Sequence, residues 1–319
     1  MIAKTKISII GAGMVGSTTA FALMMSDLSL EIALIDRDEK KAMGDALDIM
    51  HGSAFLPSSE IYAGDYADCR DSAIIIITAG ARQKPGETRI ELLSRNNMIF
   101  KQIFEGILAN CSHQPIVLVV SNPVDILTYL SHELSGFSRG KVFGSGTLLD
   151  TSRFKYLLGK QTNIDAKSLH AYIIGEHGDS EVAAWSKTNI AGMRLDDYFR
   201  LHAECDKTIV ESIASEVKDA AYKVIEMKGA TYYAIALSVR RIVECVLRDD
   251  RSVLPVSCVL DGEYGIRDVA LSLPSIVGKN GVEEILPVDF NEHEISKLTE
   301  SAESLKKALA DLKRTNVNL

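Results

Sequence analysis

His177 stands in Ile173-Ile174-Gly175-Glu176-His177-Gly178-Asp179-Ser180, where an apolar strand breaks into a polar, glycine-flanked turn. Imidazole exchanges a proton near neutral pH, as the interconversion of an alcohol and a ketone requires. Taken alone, a histidine in a turn is more often structural or merely exposed. Asp150 and Arg153 lie three apart in Leu148-Leu149-Asp150-Thr151-Ser152-Arg153-Phe154 and share a face if the run is helical. The plain reading is a surface ion pair of little worth. Leu148, Leu149, Phe154, Leu157 and Leu158 instead imply a largely buried helix, and buried charges need partners. Asp150 could then hold the His177 imidazole and stabilise its cationic form. Arg153 could grip a carboxylate through two parallel hydrogen bonds.

A second constellation is Gly11-Ala12-Gly13-Met14-Val15-Gly16, which follows the first strand and opens the first helix. Gly11 allows the tight turn, Gly13 lets the backbone approach a pyrophosphate, and Gly16 lets helix and strand pack closely. The helix N-terminus offers free N–H groups to the phosphates. Asp36 ends the second strand twenty residues after Gly16. Its carboxylate suits a ribose 2′-hydroxyl and would repel a 2′-phosphate, so the expected cofactor is NAD rather than NADP. A solvated charge at a strand end is the alternative.

Two loops complete the set. Residues 78–89 (Thr-Ala-Gly-Ala-Arg-Gln-Lys-Pro-Gly-Glu-Thr-Arg) follow the apolar run 73–77 and carry three cations, two glycines and a proline. They are expected to leave the sheet as a mobile, charged loop, at the strand end where open α/β sheets take ligands. Arg89 is a fixed cation in this loop and Gln83 an uncharged amide. Ser121-Asn122-Pro123 follows the run 116–120. Asn122 either offers an amide donor to a substrate oxygen or the nicotinamide, or simply makes the turn before the helix from Asp125.

The elements that must position these residues are legible as alternation. Runs 6–10, 31–35, 73–77 and 116–120 read as strands, β-branched and nearly continuous as befits strands covered on both faces. Residues 14–25, 37–51 and 90–111 read as helices, and 141–143 as a short strand. The fold class is therefore α/β, a Rossmann-type doubly wound parallel sheet with a second mixed α+β domain. The second half has strand patterns at 169–174, 252–260 and 282–287, hairpin signals at Asp261-Gly262 and Asn280-Gly281, and helical patterns at 201–228 and 295–313. The expected division is 1–145 for the cofactor and 146–319 for the substrate.

The 319 residues suffice for two such units. A net charge of −8 argues against nucleic acid or an anionic membrane as partner. Five scattered cysteines (69, 111, 205, 245 and 258) have no metal-ligand spacing, which excludes a metal centre of that kind and favours a reduced cytoplasmic compartment. Lys4 and Lys6 before an apolar stretch mimic a signal peptide, but the glycine pattern explains that stretch. No apolar run reaches the ~18 residues of a membrane span.

These motifs, with Asp48-Ile49-Met50-His51-Gly52 and Gly229-Ala230-Thr231-Tyr232-Tyr233, resemble the lactate/malate dehydrogenase family, and its bacterial L-lactate dehydrogenases in particular, over nearly the whole chain. The resemblance implies that His177 is the proton donor and acceptor, oriented by Asp150, and that Arg153 binds the substrate carboxylate. It implies that Arg89 rides a lid and polarises the reacting carbonyl with help from Asn122. Thr231 would line the substrate pocket, Ile235 would pack near the nicotinamide, and Thr78, Ala79 and Gly80 would join the cofactor residues. The implied reaction is pyruvate + NADH + H⁺ to lactate + NAD⁺. Malate enzymes carry Arg at the position of Gln83, where it pairs with a second carboxylate; Gln83 points to pyruvate, and Glu87 would add repulsion if near the pocket. A malate or broader 2-hydroxy acid dehydrogenase is the near alternative, and an NAD-binding regulatory or structural protein without turnover the distant one. The resemblance also implies a homotetramer. A fructose 1,6-bisphosphate site would use Lys155 and His170, but Lys155 stands where relatives have Arg and loses the planar fork, so activation is expected to be weak or absent.

Overall fold

The computed structural model describes residues 4–82, 86–202 and 209–317. The first half contains β1 (Thr5–Ile10), α1 (Met14–Met24), β2 (Leu30–Ile35), α2 (Glu39–His51), β3 (Glu60–Ala63), β4 (Ile74–Ile77), α3 (Arg89–Asn110), β5 (Ile116–Val119), α4 (Val124–Ser135) and β6 (Val142–Gly144). There follow α5 (Leu148–Thr162) and five two-residue strands: β7 (Leu169–His170), β8 (Ile173–Ile174), β9 (Val182–Ala183), β10 (Asn189–Ile190) and β11 (Met193–Arg194). The chain continues with α6 (Leu195–Leu201), α7 (Ile209–Lys228), α8 (Tyr233–Arg248), β12 (Ser252–Asp261), β13 (Arg267–Gly278), β14 (Gly281–Ile285) and α9 (Glu292–Val317).

Strands β1 to β6 are parallel in the order β6-β5-β4-β1-β2-β3. The central strands β4 and β5 are apolar throughout because both faces are covered. Ile75 and Ile77 of β4 join a core with α3, α4 and α9, while Ile74 and Ile76 join another with α1, α2 and α8. Each buried isoleucine contributes about 1.5–3 kcal/mol relative to exposure, so a two-residue period within one run specifies both layers. Strand order reverses between β4 and β1, the switch point where doubly wound sheets bind ligands.

The sheet does not stop at β6. Ser257 of β12 pairs with Gly144, and antiparallel β12, β13 and β14 extend it to nine strands among the described residues. A smaller third core packs α5, α6 and α7 around β7, β8 and β10.

Two expected elements differ. Residues 169–174 are not one strand: Leu169–His170 pairs with β10 and Ile173–Ile174 with β9, two partners in two sheets. Residues 201–228 are not one helix. Helix α6 ends at Leu201, His202 departs from helical geometry (φ −119°, ψ 76°), and α7 begins at Ile209.

Candidate active site

The turns after β1, β2 and β4 enclose a cleft of about 850 Å³ lined by Gly11, Gly13, Asp36, Tyr66, Thr78 and Gly80, among others. Gly11 has φ of +111°, and a Cβ there would lie 2.5 Å from the Ala79 nitrogen. At Gly13 the space a Cβ would enter is open, whereas a Cβ on Gly16 would run into the Gly11 carbonyl. Helix α1 has no side-chain cap, so its first N–H groups are left for an anion. Met14 and Val15 supply backbone here; the Met14 side chain is exposed and Val15 packs on the core. Asp36 accepts from Ala12 N at 2.6 Å and Asp38 N at 2.9 Å. A carboxylate has further lone-pair sites for ribose hydroxyls. Uncapped N–H groups, an open glycine and a fixed carboxylate fit an NAD dinucleotide.

Helix α5 and strand β8 are stitched together: Thr147 Oγ1 donates to Ile173 O at 2.5 Å, and Thr151 Oγ1 accepts from Ile173 N at 2.9 Å. That stitching brings the first turn of α5 against the turn after β8. Asp150 is 2% exposed. Its Oδ2 lies 2.5 Å from His177 Nδ1, and its Oδ1 accepts from Arg153 Nη1 at 2.7 Å. Burial disfavours the His177 imidazolium, but Asp150, backed by Asp125 and Glu181, more than reverses this and raises its pKa to about 9. Burial likewise opposes ionisation of Asp150, yet His177 and Arg153 hold it below the ordinary carboxylate range. The cluster can therefore present a proton on imidazole beside a guanidinium whose other N–H donors are unengaged among the described residues.

Arg89 opens α3 behind a capping box formed by Thr88 and Glu91. Its Nη2 lies 3.2 Å from Asp179 Oδ2, two residues beyond His177, and the pair is largely exposed. Tyr222 of α7 also donates to Asp179, at 3.0 Å. Gly86 takes φ of +78°, as a bend at the end of this loop needs. Gln83 lies outside the described residues. Asn122, in the turn after β5, is exposed, and its peptide bond to Pro123 is cis. Thr231 and Ile235, between and at the start of α7 and α8, are half-buried, with Ile235 against the α1, α2 and α8 core.

Two family descriptions cover the chain: lactate/malate dehydrogenase, NAD binding domain, over residues 5–144, and the lactate/malate dehydrogenase alpha/beta C-terminal domain over 147–315. The chain belongs to the lactate/malate dehydrogenase family. It is 54% identical over 308 residues to an L-lactate dehydrogenase of Acetivibrio thermocellus, covering 96% of this chain and 97% of that one. It is also 54% identical to L-lactate dehydrogenase 1 of Clostridium acetobutylicum, over 96% and 98%. Among solved structures, the minor L-lactate dehydrogenase of Enterococcus mundtii in a ligand-bound form superposes with a TM-score of 0.93 at 41% identity, covering 96% of this chain and 98% of that one. A lactate dehydrogenase from a Medee basin deep-sea metagenome library gives 0.95 at 40%, covering 98% and 100%.

Within this family framework, three features of the site go beyond the sequence reading. Asp125, read there as the start of a helix, is 2% exposed. It accepts the backbone N–H of His177 at 2.7 Å and the Ser257 hydroxyl at 2.6 Å, so α4, β12 and the His177 turn meet on one carboxylate. Burial pushes its pKa up to about 6 despite those donors. Asn96 of α3 is fully buried; its Oδ1 accepts from Ala81 N at 2.7 Å, tying down the root of the 78–89 loop. The third is a correction. Glu87 does not stand free to repel a substrate, because the Arg95 fork pairs with both its oxygens at 2.8 and 3.1 Å.

Lys155 is half-buried on α5 with no ion pair among the described residues, and burial lowers its pKa. His170 is exposed on β7. Among the described residues no group of three or more His, Cys, Asp or Glu is arranged to hold a metal ion, and no helix is long and apolar enough to cross a membrane.

Proposed function

We propose that this protein is an NAD-dependent L-lactate dehydrogenase that interconverts pyruvate and (S)-lactate. The observation that carries the reading is the Asp150 carboxylate bonded at once to His177 and Arg153, in a chain more than half identical to L-lactate dehydrogenases over nearly its full length. NADH, when bound in the cleft, supplies the hydride. Arg153, with one N–H engaged by Asp150, directs others to the substrate carboxylate. His177 gives the proton on Nε2 to the ketone oxygen, while Asp150 holds Nδ1 and stabilises the cation. Arg89 leaves Asp179 for the charge developing on that oxygen, where a fixed cation in a water-poor site lowers the barrier. Asn122 supports the same oxygen, and Thr231 and Ile235 line the pocket.

Gln83 selects pyruvate over oxaloacetate, since a second carboxylate would find no counter-charge there; with Glu87 neutralised, this residue carries that choice. Residues 1–145 form the cofactor-binding unit, which also lends Gln83, Arg89 and Asn122 to the substrate, and 146–319 form the substrate-binding unit. The exposed apolar side chains Phe21 on α1, Met25 just after it, Met43 and Leu47 on α2, and Tyr233 and Leu237 on α8 lie on helices of one layer and support a homotetramer of this chain, which we place in the cytoplasm. The half-buried Lys155 offers a bisphosphate a point charge without a fork, so activation by fructose 1,6-bisphosphate is weak or absent; a large fall in pyruvate KM on adding it would contradict this.

The test is NADH oxidation with pyruvate, oxaloacetate and a branched 2-oxo acid, with and without the bisphosphate. Pyruvate should have the highest kcat/KM. Preference for oxaloacetate would make the protein a malate dehydrogenase, and no turnover by folded protein would favour an NAD-binding regulatory role.

A further inference from the structure

Glu181 has no part in the reaction described above, yet it is 7% exposed and its Oε1 is buried without a hydrogen-bond partner among the described residues. It stands at the base of the loop that carries His177. In the β8–β9 hairpin Ile174 pairs with Val182 and Ile173 with Ala183, so Glu181 follows on from that ladder opposite Gly175. Side chains alternate along a strand. Val182 enters the core with α9, whereas Ala183 packs with Phe154 and Leu158 of α5 and Val217 of α7. Glu181 shares the parity of Ala183 and belongs to the α5 and α7 side.

The charged groups on that side are Asp150 and Arg153 on α5, His177 in the loop and Lys218 on α7, all of which act on Glu181 electrostatically. Helix α9, on the other side of the hairpin, presents the uncharged Leu298, Ser301 and Ala302. Asp125 on α4 reaches the loop through the His177 N–H.

We propose that Glu181 is a second proton-holding group of this site, neutral while a substrate carboxylate is bound, and that its ionisation expels that carboxylate from Arg153. The inference rests on the reading of the site as a 2-oxo acid site. A carboxylate this buried, with an oxygen lacking a donor among the described residues, is costly to ionise, and the Asp150 charge adds like-charge repulsion. Burial first, then Asp150, raises the carboxyl, and His177, Lys218 and Arg153 bring it back to about 8. Asp125, at about 6, is already ionised in that range. Binding a substrate anion to Arg153 removes part of the positive charge that permits Glu181 to ionise, so anion binding and the Glu181 proton favour each other. His177 must also be protonated to face a ketone oxygen, and its charge acts on the Glu181 carboxyl.

The test is the affinity of the NADH-bound protein for oxamate, an anionic isostere of pyruvate that accepts no hydride, measured by fluorescence titration from about pH 6.5 to about pH 10. Each proton required for binding costs about tenfold in Kd per pH unit once its group has ionised. The wild type is expected to steepen towards about a hundredfold per unit at high pH. Glu181→Gln should keep a limiting fall of about tenfold, and Glu181→Asp, which keeps a carboxyl, should keep the steeper one. A wild-type slope that never exceeds tenfold per unit overturns the proposal even if no variant folds. So does a Gln variant as steep as wild type, since loss of packing alone does not change the number of protons. Oxamate binding near pH 7 with a single-proton slope removes Glu181 and leaves the site reading standing; no oxamate binding at pH 7 removes both.

Discussion

Asp150 Oδ2 stands 2.5 Å from His177 Nδ1, which commits that nitrogen to the carboxylate and leaves Nε2 to exchange a proton with substrate. The folded-state pKa of His177 is raised to about 9 from an ordinary 6.5. Pyruvate reduction needs the imidazolium, so its kcat/KM should be full at neutral pH and fall as pH rises through about 9. Lactate oxidation needs neutral imidazole, so in a Glu181→Gln background, where no second carboxyl ionises, its kcat should rise through the same point. Asp150→Asn removes the main charge holding the proton. It should lower kcat/KM by about 10²–10⁴ and move the alkaline limb of pyruvate reduction towards that of free imidazole. An unmoved limb would detach Asp150 from the proton chemistry.

Arg153→Lys tests the fork. Lysine keeps the charge but cannot make two parallel bonds while also serving Asp150. Loss of one charge-assisted hydrogen bond, about 1.5–3 kcal/mol, should reduce kcat/KM for pyruvate about ten- to a hundredfold, mainly through KM. Steady-state kinetics at saturating NADH separates the terms.

Gln83→Arg adds a cation to the loop. The ratio of kcat/KM for oxaloacetate to that for pyruvate should rise by at least about tenfold, the equivalent of ~1.4 kcal/mol. With Glu87 paired to Arg95, a Glu87→Gln change should leave that ratio nearly alone. An unchanged ratio in the arginine variant would remove Gln83 as the selecting residue.

Asp125→Asn probes the buried junction. The folded-state pKa of Asp125 is raised to about 6 from 3.8, so the fold favours its protonated form. The stability this gives is present below the ordinary carboxylate pKa and is lost as pH rises through about 6. Denaturant unfolding across that window should show wild type losing stability relative to the Asn variant, by up to about 3 kcal/mol from a shift near two units. A wild-type advantage that grows with pH would mean the ionised form is the favoured one.

How far the sequence leads is clearest residue by residue. The isoleucine runs and the glycine loop are local patterns, and β1, β2, β4 and β5 fall within a residue or two of expectation. Asp150 and Arg153 were within reach because apolar neighbours flank two charges at helical spacing. Strand β13 was not, because Ser272, Pro274 and Ser275 interrupt its apolar pattern; it is a strand because β12 and β14 supply pairs on both sides. Nor was Asp125 legible as a junction. Its partners, His177 and Ser257, lie 52 and 132 residues away, and no spacing within α4 points to either. The split of 169–174 between two sheets is likewise a choice made by distant strands.

The pairing of Ser257 with Gly144 has a consequence for how the chain can be divided. The family descriptions part between residues 144 and 147, but no core parts there. Val117 and Val119 of β5 share their interior with Leu271 and Leu273 of β13 and Leu305 and Leu309 of α9. A fragment ending at residue 145 would lay that apolar face open to water. Two family descriptions meet at this point, but melting should see one cooperative body, and the halves made separately should stick to one another or to themselves before either behaves as a free-standing protein.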